Sequence, residues 1–199
     1  MKSLMTTDNL HDELLVVLQN NFVSSEYKLP SADELIPHNQ NAQYHGYAFT
    51  INHKRIIYRK AKVTPDRPGA FLALWKRPAD CSNSKPIPFT NEFDYLFVAV
   101  SSDGLTSSNN QVANTQSGLY IFPVELLVKK GIVTGTNRKG KTAFRVFPLW
   151  SGSRALSGSG VFSNAAKSTQ RWQCDYFLQQ DQYGLVDLIK LNKFLANAV

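Results

Sequence analysis

Hydrophobic positions along the chain change their period from segment to segment. Leu10, Leu14, Val17 and Leu18 recur at helical spacing. Thr7 or Asp8 is placed to cap that stretch, and Asp12 and Glu13 fall in its first turns, where the helix dipole favours acids. An N-terminal helix within residues 1–22 follows. Ser24 to Asn41 is polar and broken by Pro30 and Pro37, so it reads as a connection, with a turn of helix near Asp33 to Leu35.

From 45 to 150 the pattern becomes strand-like. Tyr47 to Ile51 alternates, Asn52-His53-Lys54 is a hairpin turn, and Arg55 to Val63 is a second strand. Pro65 to Gly69 is a turn, and Phe71 to Trp75 a third strand. After a proline-containing loop from Ala79 to Phe89, the run Phe93 to Val100 is almost continuously apolar. That is the signature of a central strand covered on both faces. Ser101 to Ser117 is a polar loop, and Gly118 to Phe122 a further strand. Pro123 introduces a short helix, Val124 to Lys130, which Gly131 closes. Ile132 to Thr134 with Thr142 to Phe147 suggests a hairpin, and Ser151 to Gly160 a flexible loop. Within 162–198 two helices are expected. One is Asn164 to Leu178; the other is Asp187 to Leu195, with Leu188, Leu191 and Leu195 on one side. The sum is one α+β (mixed α/β) domain over 1–199: a central mixed sheet flanked by helices, without repeats.

Composition narrows the function classes. The chain has 199 residues, 43% of them apolar, enough for a substantial core and against wholesale disorder. Its formal net charge is +7 and its pI about 9.4, which favours an anionic partner. Cys81 and Cys174 are far apart and form no Cys-x-x-Cys pair, so free thiols in a reducing compartment are the simplest reading. Asp8, Asp12 and Glu13 interrupt the N-terminal apolar stretch, which is not expected to be a signal peptide. No run approaches the ~18 apolar residues of a membrane helix. A cytoplasmic protein without a membrane partner is expected, its oligomeric state open.

Most chemical motifs fail on context. Gly135-Thr-Asn-Arg-Lys-Gly140-Lys141-Thr142 fits the phosphate-loop pattern. That chemistry needs a helix next, so that amide groups face the phosphates. Ala143-Phe-Arg-Val-Phe-Pro148 instead alternates like a strand, which makes the motif a basic hairpin tip. His38, His45 and His53 lie in or beside polar turns without zinc-ligand spacing and read as surface histidines. No cofactor or metal is indicated, and no nucleophile elbow is present.

The strongest local feature runs from Arg59 to Arg77. Two strands meeting at a Pro/Gly turn bring Arg59, Lys60, Lys62, Arg67, Lys76 and Arg77 into one hairpin with Trp75. Residues two apart on a strand share a face, so Lys60 and Lys62 project together. Without an anion such a row repels itself, although lysines also protect a bare sheet edge. Lys167, Gln170 and Arg171 form a second cluster at helical spacing, beside Trp172. The candidate anion-binding set is Arg59, Lys60, Lys62, Thr64, Arg67, Lys76, Arg77, Lys141, Arg145, Lys167 and Gln170. Trp75 and Trp172 are candidates for stacking, and Asp94 is a candidate acid partner of Lys62.

These residues resemble the MepB-like family. The likeness runs through Arg59-x-Ala61-Lys62-x-Thr64-Pro65-x-Arg67-x-Gly69-x-Phe71 and Leu74-Trp75-Lys76-Arg77. It continues through Pro88-Phe89, Phe93-Asp94, Phe122-Pro123, Lys130-Gly131-Ile132, Gly140-Lys141, Arg145-Val146 and Pro148, Trp150, Lys167, Gln170, Trp172 and Gln173. Arg67 stands where the family usually has lysine, and Ala70 where glutamine is frequent. The resemblance implies a restriction-endonuclease-like fold and no known activity. Active nucleases of that class carry Glu or Gln, one residue, then lysine on a strand, with an aspartate on the strand before, the acids holding Mg²⁺. Lys60-Ala61-Lys62 keeps the last lysine and lacks the acid. A metal-free nucleic-acid-binding module is therefore the first expectation. The alternative is an enzyme or receptor for a small phosphorylated or carboxylated ligand centred on Lys62. A nuclease using Asp66 or Asp94, and a purely structural role, also stay open.

Overall fold

The computed structural model describes residues 14–19, 22, 27–38, 46–78, 85–102, 116–151 and 161–196. The expected N-terminal helix is α1, residues 14–19, with Leu14 and Leu18 buried; its proposed caps and Leu10 lie outside the described residues. A single 3-10 turn, Ala32–Glu34, follows, closed by Glu34 accepting from the backbone N–H and hydroxyl of Ser31.

Six strands form the main sheet: β1 (Ile36–Pro37), β2 (Tyr47–Ile51), β3 (Lys54–Lys60), β8 (Tyr95–Ser101), β9 (Ser117–Pro123) and β11 (Phe177–Gln179). They lie side by side in that order, and β3 and β8 are the one parallel pair, so the sheet is mixed. The β2–β3 hairpin turns on Asn52 and His53, whose φ angles of 45° and 65° are those of a two-residue turn matching strand twist. The continuously apolar run becomes β8 at the sheet centre, with Tyr95, Leu96, Phe97 and Val98 all fully buried. One face of the sheet packs against α1 and α4 (Leu188–Ala196) through Phe49, Ile56, Phe97, Ile121 and Leu191. The other face, with Ile57, Leu96, Val98, Tyr120 and Phe122, is covered by a second, smaller sheet and by α2 (Val124–Lys129).

The smaller sheet is built from β4 (Lys62–Thr64), β5 (Arg67–Ala73) and β10 (Ala143–Val146), in the order β10-β5-β4 and antiparallel throughout. A short pair, β6 (Trp75–Lys76) with β7 (Ile87–Pro88), adjoins it. The expected single strand Arg55 to Val63 is thus two strands in two sheets. The chain leaves the main sheet at Ala61, whose N–H makes a last hydrogen bond to Ala99 O at 2.8 Å.

Gly131 ends α2 as expected. With φ of 65° it lets its own N–H reach Val128 O at 2.9 Å and the Ile132 N–H reach Leu127 O at 2.8 Å, satisfying two carbonyls of the last turn. Three expectations need correction. Ile132 to Thr134 forms no strand; β10 pairs with β5 instead, because its register with Ala70 to Ala73 buries Val146. The helix expected to run to Leu178 stops sooner, as α3 (Asn164–Cys174), and the apolar residues beyond it become β11 on the edge of β9. On α4, Leu191 is buried but Leu188 is 42% exposed, so the expected apolar stripe is narrower.

Helix α3 closes the free edge of β10 with side chains. Gln173, fully buried, accepts from Phe147 N at 2.9 Å and donates to Arg145 O at 3.0 Å, as a neighbouring strand would. Replacing Gln173 with Leu leaves both backbone groups unpaired and is expected to destabilise by about 2–4 kcal/mol in urea unfolding. A loss below about 0.5 kcal/mol, the level of an unremarkable surface change, is the contrary result.

Candidate basic–aromatic face

The pleat of β5 decides which side chains look outward. Leu72 is fully buried toward the main sheet, so Phe71 and Ala73 of β5 fall on the opposite side, where Phe71 is partly buried and Ala73 is 3% exposed; Trp75 follows in β6. Register then aligns Lys62 of β4 and Arg145 of β10 with Phe71, one on each side. Lys62 is exposed; Phe71 and Arg145 are partly buried. The row behind them, Val63–Ala70–Val146, faces the core. Pairing continues past the strand through Leu74 N to Thr142 O at 2.8 Å, which brings the exposed Lys141 near Trp75. The Arg77 guanidinium lies 4.6 Å from the Trp75 ring centroid.

Arg145 is fixed by the turn it supports. Its Nε donates to Pro68 O at 2.9 Å. Its Nη2 donates to Thr64 Oγ1 at 2.7 Å and to the carbonyls of Arg67 and Gly69 at 3.0 Å. Burial pushes its pKa down, with Asp66 opposing that shift and Arg67 adding to it. Asp66 is held below the ordinary carboxylate range, first by the Thr64 hydroxyl, and it also pairs with the exposed Arg67 at 3.6 Å. The charges of Arg145 and Arg67 are therefore placed at a preorganised turn, and most of the Arg145 donors are already engaged there.

Other members of the candidate set lie elsewhere. Lys60 ends β3 in the main sheet, while Lys62 opens β4 in the small one. Lys167 is exposed on α3. Gln170 donates to Pro148 O at 3.0 Å and, like Gln173, fastens the chain after β10. Trp172 packs against the core near Phe122, with Lys130 Nζ 5.1 Å from its ring. Asp94 is no partner of Lys62. It accepts from Arg55 N at 2.7 Å and from its guanidinium at 3.2 and 3.3 Å. Arg55 lies five residues, about 16 Å, before the Lys60 end of β3. Asp94 thereby locks the start of β8, with its carboxyl pKa lowered chiefly by that guanidinium. Among the described residues, no group of three His, Cys, Asp or Glu gathers as a metal site.

Arg59 and His38 depart furthest from the sequence reading. Arg59 is 0% exposed and shows no open face to an anion. It donates to Tyr58 O and meets His38 Nδ1, each at 2.8 Å, while its Nε has no partner. Guanidinium groups only donate, so Nδ1 accepts and the His38 proton sits on Nε2. Burial lowers the Arg59 pKa to about 10. Burial, then the Arg59 charge, lowers His38 to about 4, so it is no ordinary surface histidine. The Phe89 ring lies 5.8 Å from the Arg59 guanidinium and 5.9 Å from Lys76 Nζ, with His38 stacked on it. Lys76 also pairs with Glu92. A Cβ on Gly46 would come within 2.7 Å of Arg59 Nη1, so the guanidinium requires glycine there. The histidine signal was hidden because Gly46 and His38 meet Arg59 only through the β1–β2–β3 pairing.

A profile of the MepB-like family matches residues 38–179. The chain belongs to the MepB-like family. It is also similar to the crystal structure of MepB, with 30% sequence identity and a TM-score of 0.62. That match covers 85% of this chain and 97% of MepB. No curated protein matches the chain. The family match spans both the Arg59 cluster and the β10-β5-β4 face. No helix among the described residues is long and apolar enough to cross a membrane.

Because the folded His38 pKa of about 4 lies below its ordinary 6.5, the unfolded chain binds more protons between those values. Stability should be fully present above about pH 6.5 and fall as pH drops toward 4, by about 2–3 kcal/mol from this group. Urea unfolding at several pH values checks it: His38→Gln should flatten the profile between pH 6.5 and 4.5. Parallel wild-type and variant profiles are the contrary outcome.

Proposed function

We propose that this protein binds a polyanion, nucleic acid in the first place, through the outer face of the β10-β5-β4 sheet. The observation that carries the reading is the cross-strand row Lys62–Phe71–Arg145, with Arg67, Arg77 and Lys141 around it. An exposed cation beside an aromatic ring on a sheet face suits a phosphate next to a stacked base. The net charge of +7 supports long-range attraction of such a partner. The exposure of Lys62 on an open strand, and the engagement of Asp94 by Arg55, favour an extended anion over a small ligand enclosed around Lys62. In this reading Arg59, Asp94 and Gln170 build the scaffold, while Lys62 and its neighbours meet the ligand.

Fluorescence anisotropy with labelled mixed-sequence DNA and RNA tests the reading at low and moderate salt. Wild-type affinity should fall steeply as salt rises, because each neutralised phosphate releases counterions. Lys62→Ala should weaken binding and reduce the log–log salt slope by about 0.7–0.9. Salt-independent binding, absence of binding, or a Lys62→Ala titration identical to wild type would overturn it.

A further inference from the structure

The same face distinguishes between kinds of nucleic acid, an inference that rests on the polyanion reading. We propose that it takes single strands, with Phe71 and Trp75 as two base-stacking platforms and Lys62 and Lys141 beside the backbone path.

Three observations point this way. Phe71 sits on the middle strand of three, with Lys62 and Arg145 opposite it in register, so the ring is at the centre of the face, Lys62 is at one flank and the Arg145 charge is at the turn. Directly opposite residues on paired strands have Cβ atoms about 4.5–5.5 Å apart, which places Lys62 beside a base resting on that ring, while the Arg145 guanidinium reaches over to the β4–β5 turn. Trp75, in β6, follows four residues later, about 13 Å along an extended chain. Between the two rings come the small residues Ala73 and Ala143, which pair directly, with Ala73 only 3% exposed beneath its larger neighbours. The Trp75 ring already carries a planar cation, the Arg77 guanidinium, across its face at 4.6 Å. Lys62, Phe71, Trp75 and Arg77 all make contacts within the chain, which a ligand would extend.

Duplexes fit this geometry poorly. Their bases are stacked on each other at about 3.4 Å per step in each strand, so rings some 13 Å apart cannot both find an open base face. The major groove admits a helix or a two-stranded ribbon, not a three-stranded sheet read through its middle strand. A single strand with splayed bases presents π-faces to both rings and phosphates to Lys62 and Lys141. The expected ligand is an RNA or DNA single strand with little sequence preference, since every base has a face to stack.

Anisotropy with labelled oligo(dT) and oligo(U) of about 12 nucleotides, against a mixed-sequence duplex of equal length, provides the test. Wild type should bind the single strands at least about tenfold tighter than the duplex. Phe71→Leu should weaken single-strand binding by about 5- to 150-fold, leave residual duplex binding unchanged and keep the salt slope. Phe71→Tyr should restore affinity. Trp75→Leu should reproduce the loss, which guards against a Phe71 variant that fails by misfolding. Duplex bound as tightly as single strands, with Lys62 still required, would overturn this inference and keep the polyanion reading. Absence of binding to every probe would overturn both.

Discussion

The pairing of β3 with β8 at the centre of the main sheet, covered on both faces, constrains everything around it. Both parities of β3 have to be buried there: Ile56 and Tyr58 toward the helices, Ile57 and Arg59 toward the small sheet. A basic run on such a strand cannot keep all its charges in water. Arg59 is driven inside, where its guanidinium is satisfied in part by a carbonyl, a neutral imidazole and the face of Phe89. Burying a charge without a carboxylate is expensive, and the depressed pKa values of Arg59 and His38 express that tension. The chain then leaves the sheet at Ala61, and the lysine after it begins a different surface.

That surface is braced in part by residues that the sequence pattern assigned to an anion, Arg145 and Gln170. Arg145 fastens the β4–β5 turn, while Gln170 and Gln173 fasten β10 and the chain that follows it. A strand edge completed by glutamines of a helix keeps Arg145 in register with Phe71 and Lys62. In the proposed reading, a face prepared in this way would lose little entropy on meeting a polyanion.

Local signals were legible in the sequence. The period of the apolar residues located β2, β8, β9 and α1. The Asn52-His53 turn and the Gly131 helix end were readable because φ preferences act within a few residues. The rejection of the phosphate-loop pattern holds for the same reason: β10, not a helix, follows Lys141. Family membership was also legible, since it depends on residue types at fixed spacing.

Partners distant in sequence were not legible. Alternation along Arg59-Lys60-Ala61-Lys62 tells which residues share a side. It does not tell that a second sheet covers the side of Arg59 while Lys62 remains exposed. Asp94 meets Arg55 across 39 residues, and Arg145 meets Pro68 across 77. The sequence by itself determined the elements, the turn chemistry and the surplus of cations, because these follow from neighbouring residues. Only tertiary structure decided which cations are buried, which brace the backbone and which face outward, because burial is set by what packs above a strand.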